Sequence, residues 1–291
     1  MIYLECPFSD KDECKNLGGR WDNKNKKWYV PGGIDHQPFQ KWILDTQEDD
    51  VVKHTKENEI ITLSPSSLDY QPNCPRCFYL DKKFNIKTKN FPPPVFNKID
   101  SIQKNYFYNK NTKDLHKELP SGVFFQENEL PSKIVSTILK DIKGRKFKLL
   151  GIPDLVIKFN NNEFGIIDFK TTKISPTKSN SYKYQLEAYA QIFENPGEIN
   201  DEKTPLLSPI NHLGILQFDP NKIINSAENN CNMIINMDYS PIIERNSSQF
   251  YNKITEIIDI LSQKSTPEVS DNCSDCNFYK RQLAMHLNTN A

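Results

Sequence analysis

The sequence predicts an α/β (α+β) fold in which helices cover a central sheet, together with a small separate N-terminal α+β domain. Two apolar, β-branched runs at 148–159 and 164–173 flank an Asn-rich break, which is the pattern of a β-hairpin. Both runs are apolar on both faces, so we expect the hairpin to be central and covered by helices. Amphipathic helices are expected at 181–193 and 247–261. A charged stretch at 46–58, poor in core residues, is predicted to be a linker.

The segment before the linker, residues 1–45, is predicted to be a small Trp-rich accessory domain. It begins with a strand, continues with a helix that starts near Ser9 and ends at Gly18-Gly19, and closes with a hairpin at 20–31. Its Arg20-Trp21-Asp22 and Trp28-Tyr29 pattern resembles a small domain of unknown function found beside plasmid primases and other DNA-processing enzymes. The resemblance implies a helicase or another DNA-processing protein as a partner.

The aromatic residues of this hairpin allow two interpretations. Trp21, Trp28 and Tyr29 lie beside Lys26 and Lys27, so they are candidates to stack on nucleic-acid bases. Alternatively, they form the core of a unit that is too small to have another. We favour the core for Trp21 and leave Tyr29 open.

Composition limits the classes of function. The chain has 291 residues, enough for one large or two modest domains, and 37 basic residues balance 37 acidic ones. Zero net charge argues against a protein that coats nucleic acid without regard to sequence, although it permits a local basic groove. The sequence shows no signal peptide and no apolar run long enough to span a bilayer, so we expect a cytoplasmic protein without membrane contacts. Seven cysteines then favour metal ligands or free thiols over disulfides.

The second domain is predicted to span residues 59–285, with a tail at 286–291. Helices are expected at 63–70, 98–108 and 130–143, an extended proline-rich segment at 91–97, and strands at 212–218 and 233–237. A basic cluster precedes the hairpin, and it either contacts phosphates or forms a solvated face: Lys140, Lys143, Arg145, Lys146 and Lys148.

Two carboxylates and a lysine interrupt the apolar hairpin. Side chains alternate along a strand, so Asp168 and Lys170 point to one face, and Asp154 on the partner strand can reach it. Two carboxylates in a half-buried sheet repel each other, and a divalent cation removes that repulsion. The carboxylates and the backbone carbonyl of Phe169 suit Mg²⁺ or Mn²⁺, while Lys170 would stabilise developing negative charge or orient water. The alternative is an exposed edge hairpin with solvated charges.

This arrangement resembles a known family. Gly151-Ile-Pro-Asp154 followed by Asp168-Phe-Lys170-Thr is similar to the core of the PD-(D/E)XK nuclease superfamily, and Asp before x-Lys is typical of its RecB-like branch. Gln185 and Tyr189 match the Gln-x-x-x-Tyr helix of that branch, which supports the lysine and the DNA backbone. The resemblance implies a restriction-endonuclease-like central mixed sheet flanked by helices, Mg²⁺ or Mn²⁺ at the active site, and DNA as the substrate.

The superfamily usually has a further acidic residue or histidine on a helix before the hairpin. The resemblance therefore implies one more site residue, and Asp100, Glu127 and Glu129 are the candidates. We prefer Asp100 because it lies on a predicted helix.

Four cysteines form two pairs that bracket the second domain. Cys74-x-x-Cys77 and Cys273-x-x-Cys276 supply enough soft ligands for a tetrahedral Zn²⁺ or a four-iron cluster, and they would join the first helix to the last. Four unrelated thiols are the alternative.

The pairs resemble those of the iron–sulfur RecB-like nucleases, which include the CRISPR-adaptation and AddB-type enzymes. Those usually take one cysteine from the first segment and three from the last. Here Gln282 stands near the third C-terminal position, and Cys77 appears instead. We favour [4Fe-4S] slightly, with Zn²⁺ as the alternative.

These features predict a metal-dependent, exonuclease-like DNA nuclease in DNA repair, recombination or mobile-element processing. The alternative is a catalytically inactive nuclease-fold module that binds DNA or acts as a scaffold and is stapled by zinc.

Overall fold

A computed structural model describes residues 2–4, 6–23, 26–31, 34, 37–42, 60–68, 74–86, 94–108, 110–117, 119–176, 178–227, 230–242 and 244–289. Its contacts cluster into two units, residues 1–54 and 55–291. The predicted linker at 46–58 lies outside the described residues.

The first unit has a three-stranded antiparallel sheet with the strand order β1-β3-β2. Its elements are β1 (Ile2–Leu4), α1 (Lys11–Asn16), β2 (Arg20–Asp22) and β3 (Lys27–Val30). A 3-10 helix at Gln37–Trp42 follows. One side of the sheet contributes to a small core made of Leu4, Cys14, Val30, Phe39 and Trp42.

The second unit alternates helices and strands. Its helices are α2 (Pro75–Phe84), α3 (Pro94–Tyr108), α4 (Thr112–Leu115), α5 (Lys183–Glu194), α6 (Ser247–Leu261) and α7 (Ser274–Thr289). Its strands are β4 (Ile61–Leu63), β5 (Gly122–Phe124), β6 (Ile134–Val135), β7 (Leu139–Lys140), β8 (Lys146–Gly151), β9 (Leu155–Phe159), β10 (Phe164–Thr171), β11 (Glu198–Ile199), β12 (Glu202–Lys203), β13 (Ile210–Ala227) and β14 (Asn230–Ile242).

A five-stranded mixed sheet in the order β14-β13-β10-β9-β5 forms the centre of this unit. Strand β10 pairs in parallel with β13 and antiparallel with β9. Successive residues of β10 face different cores: Ile166 packs with residues of α5 and α6, whereas Ile167 packs with Phe107 of α3. The predicted mixed sheet with a central, covered hairpin is therefore confirmed, as are the helices at 181–193 and 247–261.

The first strand of the predicted hairpin is broken. Residues 148–151 belong to β8, which pairs with β4, β6 and β7, and Leu155 begins β9 in the central sheet. Pro153 lies in the break, where its missing N–H removes a donor from any ladder. The chain thus changes sheet immediately before Asp154.

Three local predictions were wrong. Residues 130–143 contain β6 and β7 rather than a helix: their apolar residues mimic helical spacing, but pairing with β8 prevails. Residues 94–97 open α3 instead of being extended, since proline is compatible with a helix's first turn. Residues 65–67 form a 3-10 turn after β4, and Ser64 makes no side-chain cap.

Further along the chain, the expected strands at 212–218 and 233–237 lie within β13 and β14. Helix α7 continues to Thr289, so the tail predicted from residue 286 begins inside this helix. No helix in the described part of the chain has the length and apolar character needed to cross a membrane.

Candidate active site and metal centre

The three charged residues of the hairpin converge beside the break between β8 and β9. Leu155 pairs with Ile167, so Asp154 stands one step further along, next to Asp168. Lys170 follows on the same side of β10 because side chains alternate. The Asp168 side chain is almost completely buried, with 4% of the residue exposed.

Asp168 is held by two groups. The Gln185 amide nitrogen donates a hydrogen bond of 2.7 Å to Asp168 Oδ1. The Lys170 ammonium lies against Oδ2, yet this buried oxygen accepts no well-aligned hydrogen bond. Burial, reinforced by the charge of Asp154, raises the pKa of Asp168 to about 7 despite the opposing effect of Lys170.

Lys170 stays cationic in this environment. Burial alone would lower its pKa, but the Asp168 carboxylate outweighs burial and the net pKa is raised. The ammonium lies 4.4 Å from the centroid of the Tyr182 ring and 3.4 Å from Gln185 Oε1. Gln185 therefore bridges the carboxylate and the lysine with the two ends of one amide.

Asp154 is fixed by a backbone donor and by a lysine that the sequence did not reveal. The Phe169 N–H donates to Asp154 Oδ2 at 2.7 Å. Lys104 Nζ of α3 lies 2.8 Å from Asp154 Oδ1 and 3.0 Å from Asp100 Oδ2. Both contacts counteract burial and raise the pKa of Lys104. The available signal was the i,i+4 spacing of Asp100 and Lys104 on a predicted helix.

The three candidates for a helix-borne acid are placed differently. Asp100 reaches the site through Lys104. Glu129 is exposed in a 3-10 turn, where its carboxylate accepts the Gln126 N–H. The side chain of Glu127 lies outside the described residues. Among the described candidates, Asp100 is the one connected to Asp154.

Tyr189 supports the site by bonding to the backbone between β8 and β9. Its hydroxyl donates to the Ile152 carbonyl at 2.8 Å. The ring approaches Gly151 so closely that a Cβ there would lie 3.0 Å from Tyr189 Cε1 and 2.8 Å from Pro65 Cδ. Glycine at 151 thus allows α5 to reach the backbone just before Asp154.

The donor set fits a hard divalent cation. Asp154 Oδ1 and Asp168 Oδ2 have lysines as their only described neighbouring cations. In a strand, the N–H and C=O of one residue point to the same side, so the Phe169 carbonyl faces the side on which Asp154 accepts its N–H. Two carboxylates and a carbonyl are the ligands that Mg²⁺ and Mn²⁺ prefer.

The basic cluster before the hairpin is partly engaged by acids. Lys143 lies 2.8 Å from Asp259 on α6, and Arg145 lies 2.6 Å from Asp141 and 2.8 Å from Asp259. These two cations join the turn after β7 to α6. Because carboxylates already pair with them, they are poor candidates for phosphate binding.

The four cysteines converge at two helix N-termini. Cys74 immediately precedes α2, Cys273 immediately precedes α7, and Cys77 and Cys276 lie in the first turns. The Cys74 and Cys276 sulfurs are 3.7 Å apart, those of Cys77 and Cys273 3.6 Å, and those of Cys77 and Cys276 3.3 Å. All four sulfurs lie within 4.8 Å of one another, which fits a metal site.

The cysteine environment favours a thiolate at one position. Burial raises the pKa of Cys74, but backbone hydrogen bonds from Ser270 and Cys77, together with side-chain hydrogen bonds to Cys276 and Cys273, outweigh burial and lower it to about 6. Burial raises the pKa of Cys77, and it raises that of Cys276 to about 11. A bound cation would stabilise all four thiolates, since metal ligation deprotonates thiols.

Comparison with known proteins gives matches for both units. Residues 99–281 match the PD-(D/E)XK nuclease superfamily, and residues 1–43 match a domain of unknown function, DUF5710. The N-terminal segment is 58% identical over 43 residues to DNA primase TraC of Escherichia coli, covering 15% of this chain and 4% of that protein. A second E. coli DNA primase TraC is 52% identical over 40 residues, covering 14% of this chain and 3% of that protein.

The chain therefore spans only a small part of these curated relatives, 4% and 3% of their lengths. Among solved structures, the crystal structure of SSO0001 is similar with a TM-score of 0.43 and 13% identity. That similarity covers 75% of this chain and 83% of the other.

Proposed function

Because the chain belongs to the PD-(D/E)XK nuclease superfamily, we propose that its second unit is a metal-dependent nuclease that hydrolyses phosphodiester bonds in DNA. The observation that carries this proposal is the convergence of Asp154 and Lys170, both partly buried, around the buried Asp168. The superfamily supports metal dependence, and the donor set fits it. DNA is the substrate class that a nuclease fold favours.

Asp154, Asp168 and the Phe169 carbonyl are the residues that would hold the cation. When bound, the cation supplies charge neutralisation at the scissile phosphate and activation of water. The buried Asp168 Oδ2, which lacks a well-aligned hydrogen bond, is the oxygen that gains most from a cation.

Lys170 supplies the positive charge next to the reacting phosphate. Its raised pKa keeps the ammonium protonated at neutral pH, so its role is electrostatic and not that of a general base. Gln185 positions this ammonium because its Oε1 accepts a hydrogen bond from Lys170 while its Nε2 donates one to Asp168. Tyr189 positions Asp154 through the Ile152 carbonyl.

The sequence slightly favoured an iron–sulfur cluster, but the spacing of the four cysteines supports a zinc site instead. Zn–S bonds of about 2.3 Å in a tetrahedron place sulfurs roughly 3.7 Å apart. Three of the six sulfur–sulfur distances, 3.3 to 3.7 Å, agree with that spacing, and all four sulfurs lie within 4.8 Å of one another. A four-iron cluster needs a wider cage because each cysteine binds a different iron. A colourless protein with one zinc per chain would support zinc; broad visible absorbance would favour the cluster.

The cellular role belongs to the same proposal. We place the protein in the cytoplasm, in DNA repair, recombination or mobile-element processing, with exonuclease-like action at DNA ends. The similarity of residues 1–43 to part of a protein named DNA primase supports a link to DNA-processing machinery. The first unit would then contact a helicase or another DNA-processing protein. Residues 1–45, 46–58 and 59–285 are the accessory domain, linker and nuclease domain of this proposal.

One observation favours a second candidate, an inactive nuclease-fold scaffold. Lys104 already pairs with Asp154 and Asp100, so the charge of Asp154 is neutralised without a metal ion. If that ion pair persists in the presence of Mg²⁺, the fold would bind DNA without cutting it.

The test is digestion of end-labelled single-stranded and duplex DNA with Mg²⁺ or Mn²⁺. Wild-type protein should cleave, and Asp168→Asn should not. Asp259→Asn is the matched control. This carboxylate on α6 also pairs with cations, Lys143 and Arg145, but lies outside the proposed metal site. Cleavage by Asp168→Asn at the wild-type rate would reject the nuclease assignment, and a folded wild-type protein that binds but never cuts would favour the scaffold.

A further inference from the structure

Two tyrosines face outward on the sheet of the first unit. Leu4, Trp28 and Val30 belong to the core side, so the alternation of side chains turns Tyr3 and Tyr29 to the opposite face. Tyr3 and Tyr29 are direct partners in the β1–β3 register. Their ring centroids are 6.1 Å apart, with the planes inclined at 61°.

Cations border the two rings on the same face. Arg20 pairs with Tyr29 in the β2–β3 register, and Lys27 lies two residues before Tyr29 on β3, so both share its face. Both side chains are exposed. Asp22 is the one acid on this face of β2 and β3, and its carboxylate accepts the Tyr3 hydroxyl at 2.6 Å. That bond fixes the Tyr3 ring in place.

The charge of the hairpin complements a polyanion. Within residues 20–30 the sequence has four basic residues and one acidic residue: Arg20, Lys24, Lys26, Lys27 and Asp22. Tyr3 is exposed and Tyr29 is half-buried. Accessible aromatic rings beside guanidinium and ammonium groups combine base stacking with attraction of phosphates. Stacking needs free base faces, which single strands offer and duplexes hide.

The two tryptophans do not belong to this face. Trp21 pairs with Trp28, and their rings meet edge-on with centroids 5.8 Å apart on the core side. Trp21 keeps 44% of its surface exposed at the sheet edge, so the interpretation of Trp21 as a core residue holds only in part.

We propose that the outward face formed by Tyr3, Tyr29, Arg20 and Lys27, the tyrosine platform, binds single-stranded DNA. The rings stack on bases, and the two cations contact phosphates. This site lies wholly within the first unit, and it does not rest on the nuclease activity proposed for the second.

The first test uses full-length protein in buffer without Mg²⁺ or Mn²⁺, so that no cleavage occurs while the metal at the cysteines is kept, and a fluorescein-labelled oligothymidylate. Fluorescence anisotropy should show Tyr29→Ala binding about tenfold more weakly, the effect of losing one stacked base. Tyr29→Phe keeps the ring and should bind like wild type. Phe8→Ala is the matched control, because Phe8 is 81% exposed and has its own cation, Lys11 Nζ at 4.0 Å from the ring, but lies outside the sheet.

The second test separates phosphate contacts from folding defects. A double variant, Arg20→Gln with Lys27→Gln, should reduce the slope of log affinity against log salt by about 1.4, since each single-strand phosphate contact contributes about 0.7. A duplex of equal length should bind more weakly than the single strand.

A third test locates the contact. Photo-crosslinking of an iododeoxyuridine oligonucleotide should attach it to peptides that contain Tyr3 or Tyr29. The proposal is overturned if folded Tyr29→Ala binds as tightly as wild type, if the salt slope does not change, or if all cross-links fall within residues 55–291.

Discussion

The second unit contains two candidate metal sites that are built in opposite ways. The Asp154 and Asp168 site uses hard oxygen donors from one hairpin. The Phe169 N–H holds Asp154, Gln185 of α5 holds Asp168, and Tyr189 of α5 holds the backbone just before Asp154. The cysteine site uses soft donors from pairs about 200 residues apart in sequence. The cysteine site joins α2 to α7. After its first turn, α7 is exposed up to Met285, so the cysteines are its main attachment in this stretch. The comparison teaches that the fold positions the first site, whereas the second site helps to position the fold.

The largest expected effect is therefore on stability, at the cysteine site. Cys276→Ala should lower the free energy of unfolding by several kcal/mol, because the binding free energy of a structural metal is also folding free energy. Thermal denaturation with and without a strong chelator measures this. Cys231→Ala is the matched control, since this thiol is exposed on β14. A chelator-treated wild type that melts at the same temperature would contradict the structural role.

At the carboxylate site the effect should fall on activity. Asp168→Asn should reduce DNA cleavage by more than about 100-fold, the scale of losing a preorganised electrostatic group. The melting temperature should not fall, because the raised pKa of Asp168 means that burial and Asp154 already disfavour its charged form, which the neutral amide replaces. Single-turnover cleavage and calorimetry measure the two quantities. A variant that is mainly unstable would show that Asp168 acts structurally, like the cysteines.

A smaller effect is expected from Tyr189→Phe, which removes the hydrogen bond to the Ile152 carbonyl. Losing it should destabilise the fold by about 1 kcal/mol and lower cleavage by shifting Asp154. Tyr79→Phe is the matched control, since its hydroxyl donates to a backbone carbonyl, that of Gln263, at 3.2 Å. Equal effects of both variants on cleavage would argue against a positioning role for Tyr189.

The last expected effect, at most about 1.4 kcal/mol per pH unit, is a pH dependence of stability in protein without Mg²⁺ or Mn²⁺. The pKa of Asp168 is raised to about 7 from its ordinary value of 3.8. Between these values the folded protein keeps a proton that the unfolded chain releases, so the free energy of unfolding should decrease as pH rises. Urea denaturation without Mg²⁺ or Mn²⁺, and with the metal at the cysteines kept in place, measures the slope at a series of pH values. Asp168→Asn should flatten it, and an unchanged slope would show that another group titrates.

The sequence revealed those parts of the site that lie on one periodic element. Alternation placed Asp168 and Lys170 on one face of β10. Helical spacing placed Gln185 and Tyr189 on one face of α5. Lys104 was missed because its partner Asp154 is 50 residues away, and only tertiary packing brings α3 to the hairpin.

The errors in the fold have the same cause. Residues 130–143 carry apolar residues at helical spacing, yet β6 and β7 pair with β8, a non-local interaction that periodicity does not show. The break at Pro153 was also hidden, because both β8 and β9 are apolar and each alone resembles half of one long strand. In contrast, the Cys-x-x-Cys spacing predicted the convergence of four sulfurs that the structure contains.

Titration of Mn²⁺ into protein whose cysteine site is occupied, by isothermal calorimetry, tests the central claim most directly. The account predicts a Mn²⁺ site that Asp154→Asn and Asp168→Asn each abolish and that Asp259→Asn leaves intact. Cleavage should depend on Mn²⁺ over the same concentration range. Mn²⁺ binding that persists unchanged in both carboxylate variants would contradict the account.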